Sequence, residues 1–179
     1  AYYDKHDYDR AIENYDQAIR LDSGYALAFY DRGVSYYEKH DYEKALHDLT
    51  QAVKLDPKDT LSYYNRGLTY MGRGDLEHAL ADFDQVIQFD PKNALAFYNR
   101  GLVFRDKGDN DHAIADFSQA VRFDPKNALA YFNRGISYRS KGDIDRAVAD
   151  FDQAIGLDAK NAAAFYERGF ARYKRNDYD

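Results

Sequence analysis

Apolar residues recur three and four positions apart in short blocks: Ala11, Tyr15 and Ala18; Ala45, Leu49 and Ala52; Ala79, Phe83 and Val86; Ala113, Phe117 and Ala120; Ala147, Phe151 and Ala154. That spacing lines one face of a helix. The blocks themselves return every 34 residues. A second set of helical faces lies between them, marked by Phe29, Tyr63, Phe97, Tyr131 and Phe165 and, further on, by Tyr36, Tyr70, Phe104 and Tyr138. Each period therefore predicts two helices, an aromatic-rich helix A followed by an alanine-rich helix B. An all-α chain follows, in which every hairpin relies on its neighbour to bury its apolar face.

Punctuation supports the division. Gly74, Gly108 and Gly142 are placed to end helix A in the left-handed conformation, with His6, His40 and Asn176 in the same slot. Asp7, Asp41, Asp75, Asp109 and Asp143 follow and are expected to cap helix B; Asp9, Glu43, Glu77, Asp111 and Asp145 sit near its positive end. Helix B is expected to close at Asp56-Pro57, Asp90-Pro91 and Asp124-Pro125, where proline cannot continue a helix but can start the next. Asp22-Ser23 and Asp158-Ala159 are proline-free versions of the same boundary.

Arg-Gly pairs at 32–33, 66–67, 100–101, 134–135 and 168–169 keep the same 34-residue period. Together with the aromatic after each glycine, the Ala and Phe of helix B and the terminal Pro, they resemble the tetratricopeptide repeat family over the whole chain. The resemblance implies a right-handed superhelical α-solenoid of antiparallel helix pairs. Gly33 and its equivalents let two helices approach closely. One departure is systematic, since Arg32, Arg66, Arg100, Arg134 and Arg168 stand where the family usually has leucine. These arginines are expected to form a structural ladder with Asp48, Asp82, Asp116 and Asp150. Replacing one by Leu is expected to be neutral or stabilising, because partly buried ion pairs gain little over apolar packing.

The register divides residues 1–179 into one array: a partial unit at 1–25, complete units at 26–59, 60–93, 94–127 and 128–161, and a partial unit at 162–179. The incomplete end units point to a fragment of a longer array.

Composition narrows the function. The formal net charge is −6, which disfavours a phosphate-backbone partner, so no nucleic acid is expected. Cysteine is absent, which removes disulfides and thiolate metal sites and leaves the redox compartment open. No apolar run approaches the ~18 residues of a membrane span, so no membrane partner is expected. With 18 Tyr and 11 Phe, the apolar surface that must be buried is large, and many thin layers suit it.

In this family the concave wall is built mainly from helix A, which singles out three features on the stripe opposite Phe29, Gly33 and Tyr36. The first is Asn65, Asn99 and Asn133, one carboxamide per layer, able to donate to a peptide C=O and accept from its N–H. This ladder is similar to the asparagine ladder in the tetratricopeptide superhelix of O-linked N-acetylglucosamine transferase, and the resemblance implies a grip on peptide backbone. The other reading is hydration, or bonding within helix A. The second is the aromatic ladder Tyr30, Tyr64, Tyr98, Phe132 and Tyr166, either rigid contact area for a partner or packing. The third is Arg105 and Arg139, which either fork onto a partner's carboxylate or pair with Asp106 or another local acid. Asp31, Glu38 and Glu167 lie towards the two ends. The carboxylate clamp of heat-shock-chaperone cofactors needs lysine and asparagine where this chain has Tyr30 and Val34, so a chaperone C-terminal tail is not expected.

Other chemistry finds no support. Asp106, Asp109 and Asp111 imitate a calcium loop, but its glycine comes too early and the terminal glutamate is missing. The five histidines form no close ligand pair along a helix. Gly72-Arg73-Gly74 lacks the rest of a phosphate-binding fingerprint. No Ser or Thr has a base in a catalytic pattern, so neither an enzyme nor a cofactor is expected. Two functions remain: a scaffold binding an extended peptide or protein segment in the concave groove, or a self-assembly module stacking through its convex face or open ends. For the second, Phe165, Gly169 and Phe170 would meet Ala11, Tyr15, Ala18 and Ile19, with Tyr2 and Tyr3 overlapping Arg172 and Tyr173.

Overall fold

A computed structural model of the chain describes residues 7–174. His6, Asn176, Tyr2 and Tyr3 lie outside them. Among the described residues all regular structure is helical, in ten helices. Contacts divide them into two compact units after Pro91. The first unit holds α1 (Tyr8–Leu21), α2 (Ala26–Glu38), α3 (Tyr42–Leu55), α4 (Thr60–Arg73) and α5 (Leu76–Phe89). The second holds α6 (Ala94–Asp106), α7 (Asn110–Phe123), α8 (Ala128–Ser140), α9 (Ile144–Leu157) and α10 (Ala162–Lys174). Within each unit every helix packs on the next, most closely in the hairpins α2–α3, α4–α5, α6–α7 and α8–α9. Even-numbered helices are the A helices and odd-numbered ones the B helices.

Local chemistry sets the boundaries. Asp7, Asp41, Asp75, Asp109 and Asp143 each accept a hydrogen bond from the backbone N–H three residues on, as N-caps of the B helices. Gly74, Gly108 and Gly142 end α4, α6 and α8 at φ 82, 81 and 80°. Among the described residues the one non-glycine at positive φ is His40, at 59°, in the same slot after α2. A side chain in the left-handed region carries a steric cost that glycine escapes. His40→Gly is expected to raise stability by roughly 0.5 to 1 kcal/mol, less the extra freedom of the unfolded chain. Urea unfolding followed by circular dichroism checks this, and a loss of stability would contradict it.

The proline boundaries differ from the sequence expectation. Pro57 and Pro125 do not open the next helix; they sit in a turn between Asp56 or Asp124 and a separate N-cap. The turn closes by Asp59 N–H to Asp56 O at 3.2 Å and Asn127 N–H to Asp124 O at 3.2 Å. Asp59, Asn93, Asn127 and Asn161 then cap the A helices. Asp22 and Asp158 build the proline-free turns through their side chains, accepting from Gly24 N–H at 2.8 Å and Lys160 N–H at 3.0 Å. Proline fits this turn because it presets φ, and the aspartate holds it with or without proline.

The core of each hairpin is a large side chain laid on a glycine. Phe83, Phe117 and Phe151 are fully buried, as is Leu49 in the first unit. A Cβ on Gly101 would stand 2.8 Å from Phe117 Cε1, and one on Gly33 would stand 2.8 Å from Leu49 Cγ. Beside this seam runs the arginine ladder. Arg32 Nε and Nη2 donate to Asp48 at 2.6 and 2.7 Å, Arg66 to Asp82 at 2.8 and 2.7 Å, Arg100 to Asp116 at 2.7 Å twice, and Arg134 to Asp150 at 2.8 and 2.7 Å. All four aspartates are buried. Each of these guanidiniums also lies over the aromatic ring three residues earlier, from Phe29 to Tyr131, at 5.5 or 5.6 Å.

A further arm was not foreseen. The remaining nitrogen reaches back to the preceding B helix, where Arg32 Nη1 meets Asp16 at 2.5 Å, Arg134 Nη1 meets Ser118 Oγ at 3.2 Å and Arg168 Nη1 meets Asp152 at 2.6 Å. Arg66 Nη1 reaches only the Thr50 hydroxyl, at 3.5 Å. One side chain thus ties three successive helices. Where Thr50 stands, Thr50→Asp would supply the carboxylate that Asp16 and Asp152 supply elsewhere. It is expected to raise the thermal midpoint by the worth of one half-exposed charge pair, about 0.5 kcal/mol. A midpoint that stays the same or falls would show that the hydroxyl already satisfies Arg66.

Candidate functional site

With the aromatic seam and the arginines turned inward, the opposite stripe of each A helix faces outward. It opens on a leucine in the same register: Leu27 and Leu61 in the first unit are 54% and 57% exposed, and Leu95 and Leu129 in the second are 54% each. Each unit thus holds two half-exposed leucines at the same register of its A helices.

The asparagines beside them hold internal bonds. Asn65 Nδ2 donates to Leu61 O at 3.0 Å and to the Tyr30 hydroxyl at 3.1 Å. Asn133 Nδ2 donates to Leu129 O at 2.8 Å and to the Tyr98 hydroxyl at 3.2 Å, and Asn99 Nδ2 donates to Leu95 O at 3.0 Å. The amide N–H groups are therefore engaged within helix A and with the preceding repeat. Asn99 and Asn133 are largely buried, Asn65 less so. At Asn65 the oxygen is left over: among the described residues nothing donates to its Oδ1, whereas Asn133 Oδ1 accepts from Arg105 Nη1.

The aromatic ladder divides by atom. Tyr64, Tyr98 and Phe132 lay their rings against Phe83, Phe117 and Phe151 with centroids 5.9 Å apart, so the ring bodies pack. The Tyr30 and Tyr98 hydroxyls accept from the asparagines. Burial pushes the Tyr98 hydroxyl above the usual tyrosine range. Tyr166 is largely exposed.

The two arginines meet local acids. Arg105 donates through Nη2 to Asp106 at 2.9 Å and through Nη1 to Asn133 Oδ1. Arg139 Nε lies 3.2 Å from Glu167 Oε2, and its guanidinium lies 5.5 Å from the centre of the Phe170 ring. Glu167, which holds the asparagine register in α10, was not recognised as Arg139's partner. The signal was available in the spacing, since Arg105 and Asn133 are also 28 residues apart.

Asp31 holds that register in α2 and has no such partner. Among the described residues nothing donates to its carboxylate and no cation pairs with it. Burial pushes its carboxyl above the usual range. Asp31 shares a face of α2 with Leu27, four residues earlier, and Leu27 lines a recess of about 400 Å³ with Tyr25, Tyr30, Leu61, Asp56 and Asp59.

Of the residues tied to end-to-end association, Phe165 and Phe170 on α10 are exposed, while Ala11 on α1 is buried. No group of three or more histidines and carboxylates among the described residues is placed to hold a metal ion, and no helix there is long and apolar enough to cross a membrane.

Comparison with curated protein sequences gives no match. Among solved structures, the crystal structure of MamA superposes with a TM-score of 0.84 at 26% identity, covering 90% of this chain and 95% of that one. YrrB, described as a TPR protein with an unusual peptide-binding site, superposes with a TM-score of 0.81 at 22% identity over 94% of this chain and 87% of its own. The first TPR domain of Spaghetti (RPAP3), bound to the HSP90 peptide SRMEEVD, does so with a TM-score of 0.65 at 21% identity over 68% and 96%. Profiles of the TPR repeat match residues 1–39, 101–138 and 135–176, and a tetratricopeptide repeat profile matches 30–94. With these matches running through both units, on helix hairpins of the pitch and packing described above, the chain belongs to the tetratricopeptide repeat family.

Proposed function

We propose that the chain is a protein-interaction scaffold that holds an extended partner segment against the outward face of its A helices. The observation that carries this reading is the leucine at one register of the A helices, more than half exposed each time, with a tyrosine–asparagine hydrogen bond beside Leu61 and Leu129. Such a surface offers a partner one apolar contact per repeat and, at Asn65, an oxygen acceptor. Because the amide N–H groups are already used, the asparagine register suits the N–H groups of a bound peptide rather than its carbonyls. The peptide-binding site attributed to YrrB and the peptide bound to Spaghetti are in keeping with this.

Panning a displayed library of linear peptides against the chain, followed by titration of a selected peptide, tests the proposal. Leu61→Ser, Leu95→Ser and Leu129→Ser are each expected to weaken that peptide about fivefold, since covering half a leucine contributes roughly 1 kcal/mol. Their exposure keeps the fold unaffected. Asn65→Ala is expected to weaken it by a similar factor through loss of the Oδ1 acceptor. A panning that enriches no linear peptide, or a titration indifferent to all four variants, would overturn the proposal. A mass that rises with protein concentration would favour self-assembly instead.

A further inference from the structure

The outward faces of the two units differ in how their charges are matched. In the second unit Arg105 is held by Asp106 and Arg139 by Glu167, so both of these A-helix arginines have an acid. In the first unit the acids lack cations. Asp31 is half-buried and unpaired among the described residues. Asp56 and Asp59 accept only from nearby backbone N–H groups and the Ser62 hydroxyl, and neither is in an ion pair. Asp56 and Asp59 line the recess of about 400 Å³ with Tyr25, Leu27, Tyr30 and Leu61, and Asp31 stands one turn along α2 from Leu27. That volume holds one large apolar side chain and the start of its neighbours. Another recess, at Asp111, Tyr138, Lys141, Asp143 and Arg146, carries two acids and two bases already paired, so it selects no charge.

We infer that the recess of the first unit seats an apolar side chain of a basic partner segment, with a flanking lysine or arginine meeting Asp31 and the rim aspartates. This rests on the proposed peptide-binding function and names the chemistry of the peptide. Charge complementarity selects the occupant: an apolar anchor alone would leave three carboxylates unmatched, and an acidic segment would be repelled by them. Desolvation of Asp31 without a partner is a cost the free chain carries and a cationic ligand removes, as is common where a perturbed carboxyl marks a binding site. Asp31 occupies the register where Asn65, Asn99 and Asn133 stand, so an uncharged residue of nearly the same shape is known to fit there.

Two fluorescein-labelled decapeptides provide the test, one with two leucines each flanked by lysines, the other with glutamate at every lysine. Fluorescence anisotropy at about 50 mM and about 500 mM NaCl is expected to show the lysine peptide binding about tenfold tighter, with the preference shrinking at high salt. Asp31→Asn is expected to weaken the lysine peptide about threefold while raising the thermal midpoint at neutral pH, which separates lost binding from lost folding. The sign follows from the carboxyl's raised value: the folded chain is disfavoured while Asp31 is ionised, and the midpoint gain disappears as pH falls through its titration. Leu61→Ser is expected to weaken the same peptide about fivefold. A glutamate peptide that binds as well as the lysine peptide would overturn this inference and leave the scaffold reading standing. A lysine preference indifferent to Asp31→Asn and Leu61→Ser would place binding elsewhere and likewise overturn it. Failure of the lysine peptide to bind overturns it too, and the library panning then decides separately whether the scaffold reading survives.

Discussion

Replacing Arg66 by Leu lowers the stability of the chain by about 3 kcal/mol, whereas replacing Arg66 and Asp82 together by leucines restores most of that loss. Asp82 is 3% exposed and takes both oxygens' hydrogen bonds from one guanidinium. Burial holds its carboxyl above the ordinary range even with Arg66 pulling it down, so the pair itself gains little over apolar packing. Removing the arginine alone is a different matter, because a buried carboxylate is left with no counter-charge. The expectation that Leu, the usual residue of the family, would be tolerated at this position therefore applies to the pair and not to the single change. Urea unfolding of both single variants and the double variant measures this. A neutral Arg66→Leu would show that water reaches Asp82.

Phe117→Ala costs about 3 to 5 kcal/mol, and its effect is coupled to Gly101. The ring is fully buried and lies where a Cβ on Gly101 would be, 2.8 Å from Cε1 and 2.9 Å from Cδ1. Gly101→Ala alone is expected to cost about 1 to 3 kcal/mol from this overlap, reduced by the ~1 kcal/mol that alanine gains over glycine inside a helix. In the double variant the clash has no ring to meet, and the methyl partly fills the space the ring left. The double-mutant cycle should then show a variant about 1 kcal/mol more stable than the sum of the two single effects. Additive effects would mean that the α6–α7 hairpin relaxes independently at the two positions. Gly169→Ala is the control, since a Cβ there meets nothing within 4 Å and the helix gain stands alone.

The aspartate caps of the B helices were readable because a cap satisfies backbone groups within one turn, so the residues that decide it are adjacent in the chain. The left-handed ends at Gly74, Gly108 and Gly142 were readable for the same reason, φ being a property of one residue. Even the Arg–Asp pairs across each hairpin could be anticipated, because a constant period fixes which helix faces lie against each other. The proline boundary was misjudged on equally local grounds. Pro57 could open a helix or a turn, and the Asn or Asp two residues later, which takes the cap, was not weighed.

By itself, then, the sequence determined the helical hairpins, their punctuation and the glycine seam that sets the opposite stripe of each A helix apart. These depend on backbone conformation and on a repeat of constant length. Only the tertiary structure decided what the polar side chains on that stripe do. Whether Asn65 offers its N–H or its oxygen depends on Tyr30, 35 residues earlier, and whether Arg139 is free depends on Glu167. Among the described residues no cation pairs with Asp31. Such outcomes follow from competition among long, rotatable side chains for a few partners at distances of about 3 Å, and a periodic pattern constrains backbones far more tightly than it constrains rotamers.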